Sequence, residues 1–116
     1  MKKYKIINGT FCKDEKIDNH MIGFEYCNQS FIKIWYCYNS NMDQTFLYYD
    51  LKEKNFTKNV DRIFTARQKK ILLKKLEAFS KDIILHYINI INDRHFTWTD
   101  HDLQFLETLK NKLCII

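Results

Sequence analysis

Apolar and polar residues alternate with a period of two through much of the first half of the chain, which predicts β-strands. Ile22, Phe24 and Tyr26 begin this pattern. After polar turns it resumes twice, with apolar positions at Ile32, Ile34, Tyr36 and Tyr38, and then at Leu47, Tyr49 and Leu51. The connections are short, so we expect antiparallel hairpins, with a further short strand near Phe56.

The first twenty residues have a less regular pattern. Asn8-Gly9, between Ile7 and Thr10, is the dipeptide that favours a tight hairpin turn. Residues 14–21 allow a short helix. This region is therefore the least determined part of the fold.

The second half of the chain has the period of an amphipathic helix. Thr65 and Gln68 match a capping box at its start, and the pattern continues to about Asn92. The apolar stripe comprises Leu72, Leu76, Phe79, Ile83, Tyr87 and Ile90. Thr97 or Thr99 caps a second helix, whose apolar positions are Leu103, Leu106, Leu109 and Leu113.

These elements predict an α+β fold in which an antiparallel meander of three to five strands precedes two C-terminal helices packed on one face. The length of 116 residues suits a single globular domain, strand-rich over 1–63 and helical over 64–116. We expect the sheet to meet the helical stripe through Ile22, Phe24, Ile34, Tyr36, Leu47 and Tyr49.

Composition excludes several kinds of active site. Gly, Ala, Arg and Pro together supply seven of the 116 residues, which indicates an AT-rich bacterial genome or a mobile element. With only Gly9 and Gly23, the chain has neither a dinucleotide-binding or phosphate-binding glycine loop nor a G-x-S-x-G elbow. We therefore expect a protein that is not an enzyme, with no catalytic residue, no cofactor and no bound metal.

The N-terminus carries basic residues without a following apolar segment, and the four cysteines form no C-x-x-C pair. We expect a cytoplasmic protein with reduced thiols and no membrane segment, either a monomer or a homodimer.

Two groups of residues resemble reactive sites. His95, Asp100, His101 and Asp102 lie within eight residues, but their spacing matches no zinc signature, and acids at the start of a helix are also favoured by its dipole. Cys27 or Cys37 with His20 could form a nucleophile pair, although free cysteines are more often packing residues. We assign neither group a catalytic role.

The net charge of +5 leaves nucleic-acid binding open as an alternative function. On a helix, Arg67, Lys70, Lys74 and Lys81 form one stripe that could follow phosphates. The same lysines are what a solvated amphipathic helix needs on its outer surface.

The most informative surface is the second side of the predicted sheet. If Ile34 faces the helices, strand alternation turns a mixed aromatic and charged set away from them: Glu25, Phe31, Lys33, Trp35, Phe46, Tyr48 and Asp50. Aromatic surfaces ringed by charge are typical of protein-binding hot spots. The other interpretation is that the N-terminal segment or a helix covers this side as a second core layer.

The leading hypothesis is a small protein that binds and neutralises another protein, such as a toxin immunity protein or a phage-type inhibitor of host defence. Trp35 and Phe46 would fill a pocket of the partner, expected to be a cognate toxin. Arg67, Lys70 and Lys74 would offer a secondary basic contact. The alternative is a nucleic-acid-binding module that uses the basic helix stripe.

Overall fold

A computed structural model describes residues 5–7, 10–27, 29–38, 45–58, 60–94 and 97–114. Strands come first and helices follow. The strands are β1 (Lys5–Ile7), β2 (Thr10–Ile17), β3 (His20–Tyr26), β4 (Phe31–Tyr38), β5 (Thr45–Asp50) and β6 (Asn55–Phe56). A 3₁₀ helix at Val60–Arg62 leads into α1 (Ala66–Arg94), which is followed by α2 (Asp100–Lys112).

The strands form one sheet in the order β1-β2-β3-β4-β5-β6, and each pairs antiparallel with its neighbour in sequence. This confirms the predicted α+β fold of an antiparallel meander followed by two helices. The strand count reaches six when the two-residue β6, which contains the expected Phe56, is included. No helix formed by the described residues has both the length and the apolar character needed to cross a bilayer.

The prediction of a short helix over residues 14–21 is wrong. This segment is the end of β2, the turn Asp18-Asn19 and the start of β3. Asp18 has φ of 52°, in the left-handed region that Asp tolerates in tight turns. The expected turn at Asn8-Gly9 lies outside the described residues, although Ile7 and Thr10 on either side of it are paired.

One face of the sheet forms the hydrophobic core with the helices. Phe24, Ile34 and Leu47 stand opposite one another on β3, β4 and β5 and are all inaccessible to solvent. The six sheet positions expected to meet the helical stripe all lie in this core or pack against it. Strands and helices therefore bury their apolar side chains in one cluster.

On β2, the side of the sheet that faces the helices carries ion pairs as well as apolar contacts. Lys13 is opposite the buried Phe24, so it and Glu15 face the helices. Lys75 Nζ on α1 lies 3.0 Å from Glu15 Oε2, and Lys13 Nζ lies 3.6 Å from Asp82 Oδ2 and 3.0 Å from Glu15 Oε1. Two charged residues thus precede the buried Ile17 among the inward positions of β2, which hides this strand from any search for apolar alternation.

The α1 helix begins and packs as its sequence predicts. Thr65 Oγ1 accepts a hydrogen bond from Gln68 N at 3.1 Å, and Gln68 Oε1 accepts one from Thr65 N at 3.0 Å, which confirms the capping box. The first four residues of the predicted stripe, Leu72, Leu76, Phe79 and Ile83, are completely buried. Towards the end of the helix Ile91 is buried in preference to Ile90, and the helix continues to Arg94.

Of the two candidate caps for α2, Thr99 is the one used: its side chain accepts from Asp102 N, and Asp102 accepts from Thr99 N. Leu106, Leu109 and Leu113 are buried as expected. The expectation that Leu103 joins them is wrong, since 53% of it is exposed. At 3.6 residues per turn Leu103 lies about 60° around the helix from Leu106, on the side away from the core-packed Phe105.

Candidate protein-binding surface

The side of the sheet opposite the helices, here called the outer face, carries all seven residues predicted as a protein-binding set. The register places them on β3, β4 and β5 at positions that alternate with the core residues. Within the described part of the chain, the buried cluster shared with the helices contains none of these side chains. They are Glu25, Phe31, Lys33, Trp35, Phe46, Tyr48 and Asp50.

Trp35 is set in place by a glycine on the neighbouring strand. Gly23 stands directly opposite Trp35, and a Cβ added to Gly23 would lie 1.7 Å from Trp35 Nε1 and 1.9 Å from Cε2. The indole therefore lies across the β3 backbone, in the space that the Cβ of any residue other than glycine at position 23 would occupy. This contact restricts the rotamers of Trp35 while leaving the side chain partly exposed.

Phe46 continues the same row on β5, opposite Trp35, and is 37% exposed. The ammonium of Lys33 lies 4.1 Å from the centroid of the Phe46 ring, a cation–π contact. Glycine, indole and phenyl ring thus form a continuous row across three strands.

A second aromatic pair lies beside this row. The rings of Phe31 and Tyr48 meet edge to face with centroids 5.0 Å apart. Both side chains are partly exposed. Such edge-to-face pairs fix ring orientation as well as burying area.

Asp50, at the end of β5 on the outer face, also has a structural role in the following turn. Its Oδ1 accepts hydrogen bonds from Lys52 N at 2.8 Å and Glu53 N at 3.0 Å. This carboxylate therefore stabilises the turn after β5, in which Lys54 has φ of 57°. Local turn bonding of this kind is a common use of Asp.

Met21 belongs to the outer face but was missed from the sequence. It lies opposite Cys37 on β4 and is 42% exposed. Strand alternation could have identified it, because Met21 lies between His20 and Ile22, which both face inward. The interpretation of residues 14–21 as a helix concealed it.

Asp100, His101 and Asp102 of the polar cluster form the first turn of α2, where Asp102 completes the helix cap. Asp102 Oδ2 is bonded to the backbone and hydroxyl of Thr99, at 3.0 Å and 2.9 Å. His95 lies outside the described residues. Among residues that the structure does describe, no group of three or more His, Cys, Asp or Glu could hold a metal ion.

The candidate nucleophile pair is also not brought together. His20 is buried on the inner side of β3, whereas Cys37 lies on the outer face. Cys27 is exposed just beyond the opposite end of β3 from His20. Seven residues of extended chain separate them by about 20 Å.

The basic stripe on α1 is partly neutralised. Arg67 pairs with Asp18, and Lys81 Nζ lies 3.1 Å from Glu77 Oε1. Lys70 and Lys74 are exposed one turn apart. Fewer cations of this stripe are thus available to phosphates than the sequence suggests.

No family model, curated protein or solved structure matches this chain in sequence or fold comparisons.

Proposed function

We propose that this protein is a small non-enzymatic inhibitor that binds another protein and blocks it, as a toxin immunity protein or a phage-type inhibitor of host defence does. The observation that supports the proposal is the Trp35 indole lying over Gly23 on the sheet face opposite the helices. Phe46, exposed beside it, completes an aromatic centre. We assign no catalytic residue, cofactor or metal to this function.

Pre-positioned aromatic side chains suit protein recognition for an energetic reason. Ordering a flexible side chain on binding costs about 0.5–1.5 kcal/mol, and a ring already restrained by its neighbours avoids much of that cost. Trp and Tyr dominate binding hot spots because each buries a large area through few rotatable bonds. Trp35, restrained by Gly23, fits this description.

The charges of the outer face favour a protein over a nucleic acid as the partner. On β2–β5 the described charged residues of this face are Asp14, Lys16, Glu25, Lys33 and Asp50. Acids outnumber lysines here, although the whole chain has a net charge of +5. A phosphate backbone requires a local excess of cations, whereas protein interfaces accommodate both signs.

The proposal is tested by co-expression with the product of the adjacent gene in the source genome. If that product is toxic, the wild-type chain is expected to restore growth, and the Trp35→Ala/Phe46→Ala variant is expected to lose this protection. The matched control is Leu85→Ala/Leu103→Ala, which removes two exposed apolar side chains from the helices. This control should protect as the wild type does.

The affinity of the purified pair, measured by calorimetry, gives the quantitative result. Loss of the two aromatic side chains should weaken binding by about 30-fold or more, which corresponds to about 2 kcal/mol. Circular dichroism of each variant establishes that it is folded. Unchanged affinity in a folded Trp35→Ala/Phe46→Ala variant would contradict the proposal.

A further inference from the structure

We infer that the outer face receives a cationic side chain of the protein partner, an arginine in particular, at a site formed by Trp35, Asp14 and Glu25. This inference rests on the proposed function, because it names the partner chemistry that the same surface would recognise. It is carried by the register, which places Asp14 and Glu25 next to the glycine over which the indole lies.

The indole of Trp35 supplies the platform. Its ring atoms Nε1, Cε2 and Cζ2 lie over the β3 backbone at Gly23. The side chain is partly exposed. Trp is the aromatic residue that attracts cations most strongly, and guanidinium groups stack on its face.

Two carboxylates flank this platform. Asp14 on β2 is the cross-strand partner of Gly23, and Glu25 lies two residues along β3 from Gly23 on the same face. Their Cα atoms are therefore about 5 Å and 7 Å from that of the glycine beneath the indole. Asp14 is exposed and Glu25 partly so, and no ion pair among the described residues involves either.

Two lysines of β2–β5 share this face: Lys16, two residues from Asp14 on β2, and Lys33. Lys33 is opposite Glu25 on β4, but its ammonium lies 4.1 Å from the centroid of Phe46, which is on β5. The ammonium of Lys33 is thus engaged with the Phe46 ring, and no ion pair among the described residues joins it to Glu25. An incoming guanidinium could thus stack on Trp35 and donate hydrogen bonds to either carboxylate.

The test uses two short peptides and needs no knowledge of the partner. Trp98→Phe leaves Trp35 as the single tryptophan, and its indole N–H signal is followed by ¹⁵N NMR. The probes are acetyl-Gly-Arg-Gly-amide and the same peptide with citrulline, which has the shape of arginine without its charge. We expect the arginine peptide to bind roughly two- to fivefold more tightly, as exposed cation–π contacts do.

A variant without the two carboxylates measures how much they contribute to binding of the arginine peptide. Asp14→Asn/Glu25→Gln is expected to reduce the preference for arginine, because the carboxylates add to the cation–π contact and only the indole then remains. The charge-matched control, Glu53→Gln/Asp93→Asn, changes two exposed acids away from the outer face and should retain the full preference. Equal binding of both peptides, or a preference that Asp14→Asn/Glu25→Gln leaves undiminished, would overturn the inference.

These outcomes are separable from a failure of the proposed function. An arginine preference with partner binding that is insensitive to Trp35→Ala/Phe46→Ala overturns the proposed function and supports the cation site. Partner binding that depends on Trp35 and Phe46 without any arginine preference overturns the cation site alone. Displacement of the indole signal by a single-stranded oligonucleotide, more strongly than by the arginine peptide, overturns both.

Discussion

The rings of Phe24 on β3 and Phe79 on α1 lie with their centroids 5.3 Å apart, and both side chains are completely buried. This contact joins the centre of the sheet to the centre of the long helix. It therefore links the half of the chain with period-two alternation to the half with helical periodicity.

Replacement of Phe79 by Ala should lower the free energy of unfolding by about 3–5 kcal/mol, because it removes a buried ring and leaves a cavity against Phe24. Urea denaturation followed by circular dichroism measures this loss. Leu85→Ala, on the same helix at a position that is 54% exposed, is the control and should change stability by no more than about 0.5 kcal/mol. Similar losses for the two variants would contradict the packing described.

The contact between Gly23 and Trp35 predicts that the effect of Gly23→Ala on stability depends on whether Trp35 is present. Gly23→Ala should destabilise the protein by about 1–3 kcal/mol, because the new methyl group occupies the position of the indole. In a Trp35→Ala background the same substitution should be neutral or stabilising, since Ala is otherwise preferred to Gly within a strand.

A double-mutant cycle in denaturant measures this coupling. Circular dichroism follows unfolding in all four variants. Trp98→Phe in the two that retain Trp35 lets fluorescence report on Trp35 alone, and its emission should shift in Gly23→Ala as the indole is displaced. Equal effects of Gly23→Ala with and without Trp35 would show that the indole does not lie over the glycine.

The ion pairs of Glu15 predict that the protein loses stability as the pH falls into the acid range. Burial opposes its ionisation, but hydrogen bonds and charge from Lys13 and Lys75 outweigh burial and lower the pKa of Glu15 below its ordinary value of 4.5. The unfolded chain therefore binds a proton at a higher pH than the folded chain does. The stabilisation from Glu15 is complete above about pH 4.5 and is lost as the pH falls through the lower, folded-state pKa.

Glu15→Gln should accordingly make the unfolding free energy less dependent on pH below about pH 4.5. Chemical denaturation at a series of pH values between about 3 and 7 measures the slope. Glu107→Gln, an exposed position on α2, should retain the slope of the wild type. If both variants behave alike, the ion pairs between β2 and α1 do not form in solution.

Thr99→Ala should destabilise the protein by about 1 kcal/mol, since it removes the hydroxyl that accepts from Asp102 N at the start of α2. The matched control is Thr97→Ala, because Thr97 was the other candidate cap and is exposed. Thermal unfolding compares the two. A larger loss of stability for Thr97→Ala than for Thr99→Ala would show that Thr97, rather than Thr99, caps α2.

Several features follow from local patterns and were therefore predictable. Thr65 and Gln68 cap α1 because the two side chains bond backbone groups only three residues away. The outer-face position of Trp35 and Phe46 follows from strand alternation once Ile34 and Leu47 face the core. Neither requires knowledge of distant parts of the chain.

Other features depend on side chains far away in sequence. Glu15 faces inward because Lys75, sixty residues later, neutralises it, and no local pattern contains that partner.

The sequence by itself determined the periodicities, the start of α1 and which residues of β3, β4 and β5 share a face, since these follow from backbone geometry. Only the tertiary structure decided that β2 is a strand with charged inward positions and that the Trp35 indole lies over Gly23. The physical reason is that Glu15 can face inward only beside Lys75, and the Trp35 indole can lie over β3 only where that strand has a glycine. Strand pairing and helix packing bring these partners together, and no local sequence pattern contains them.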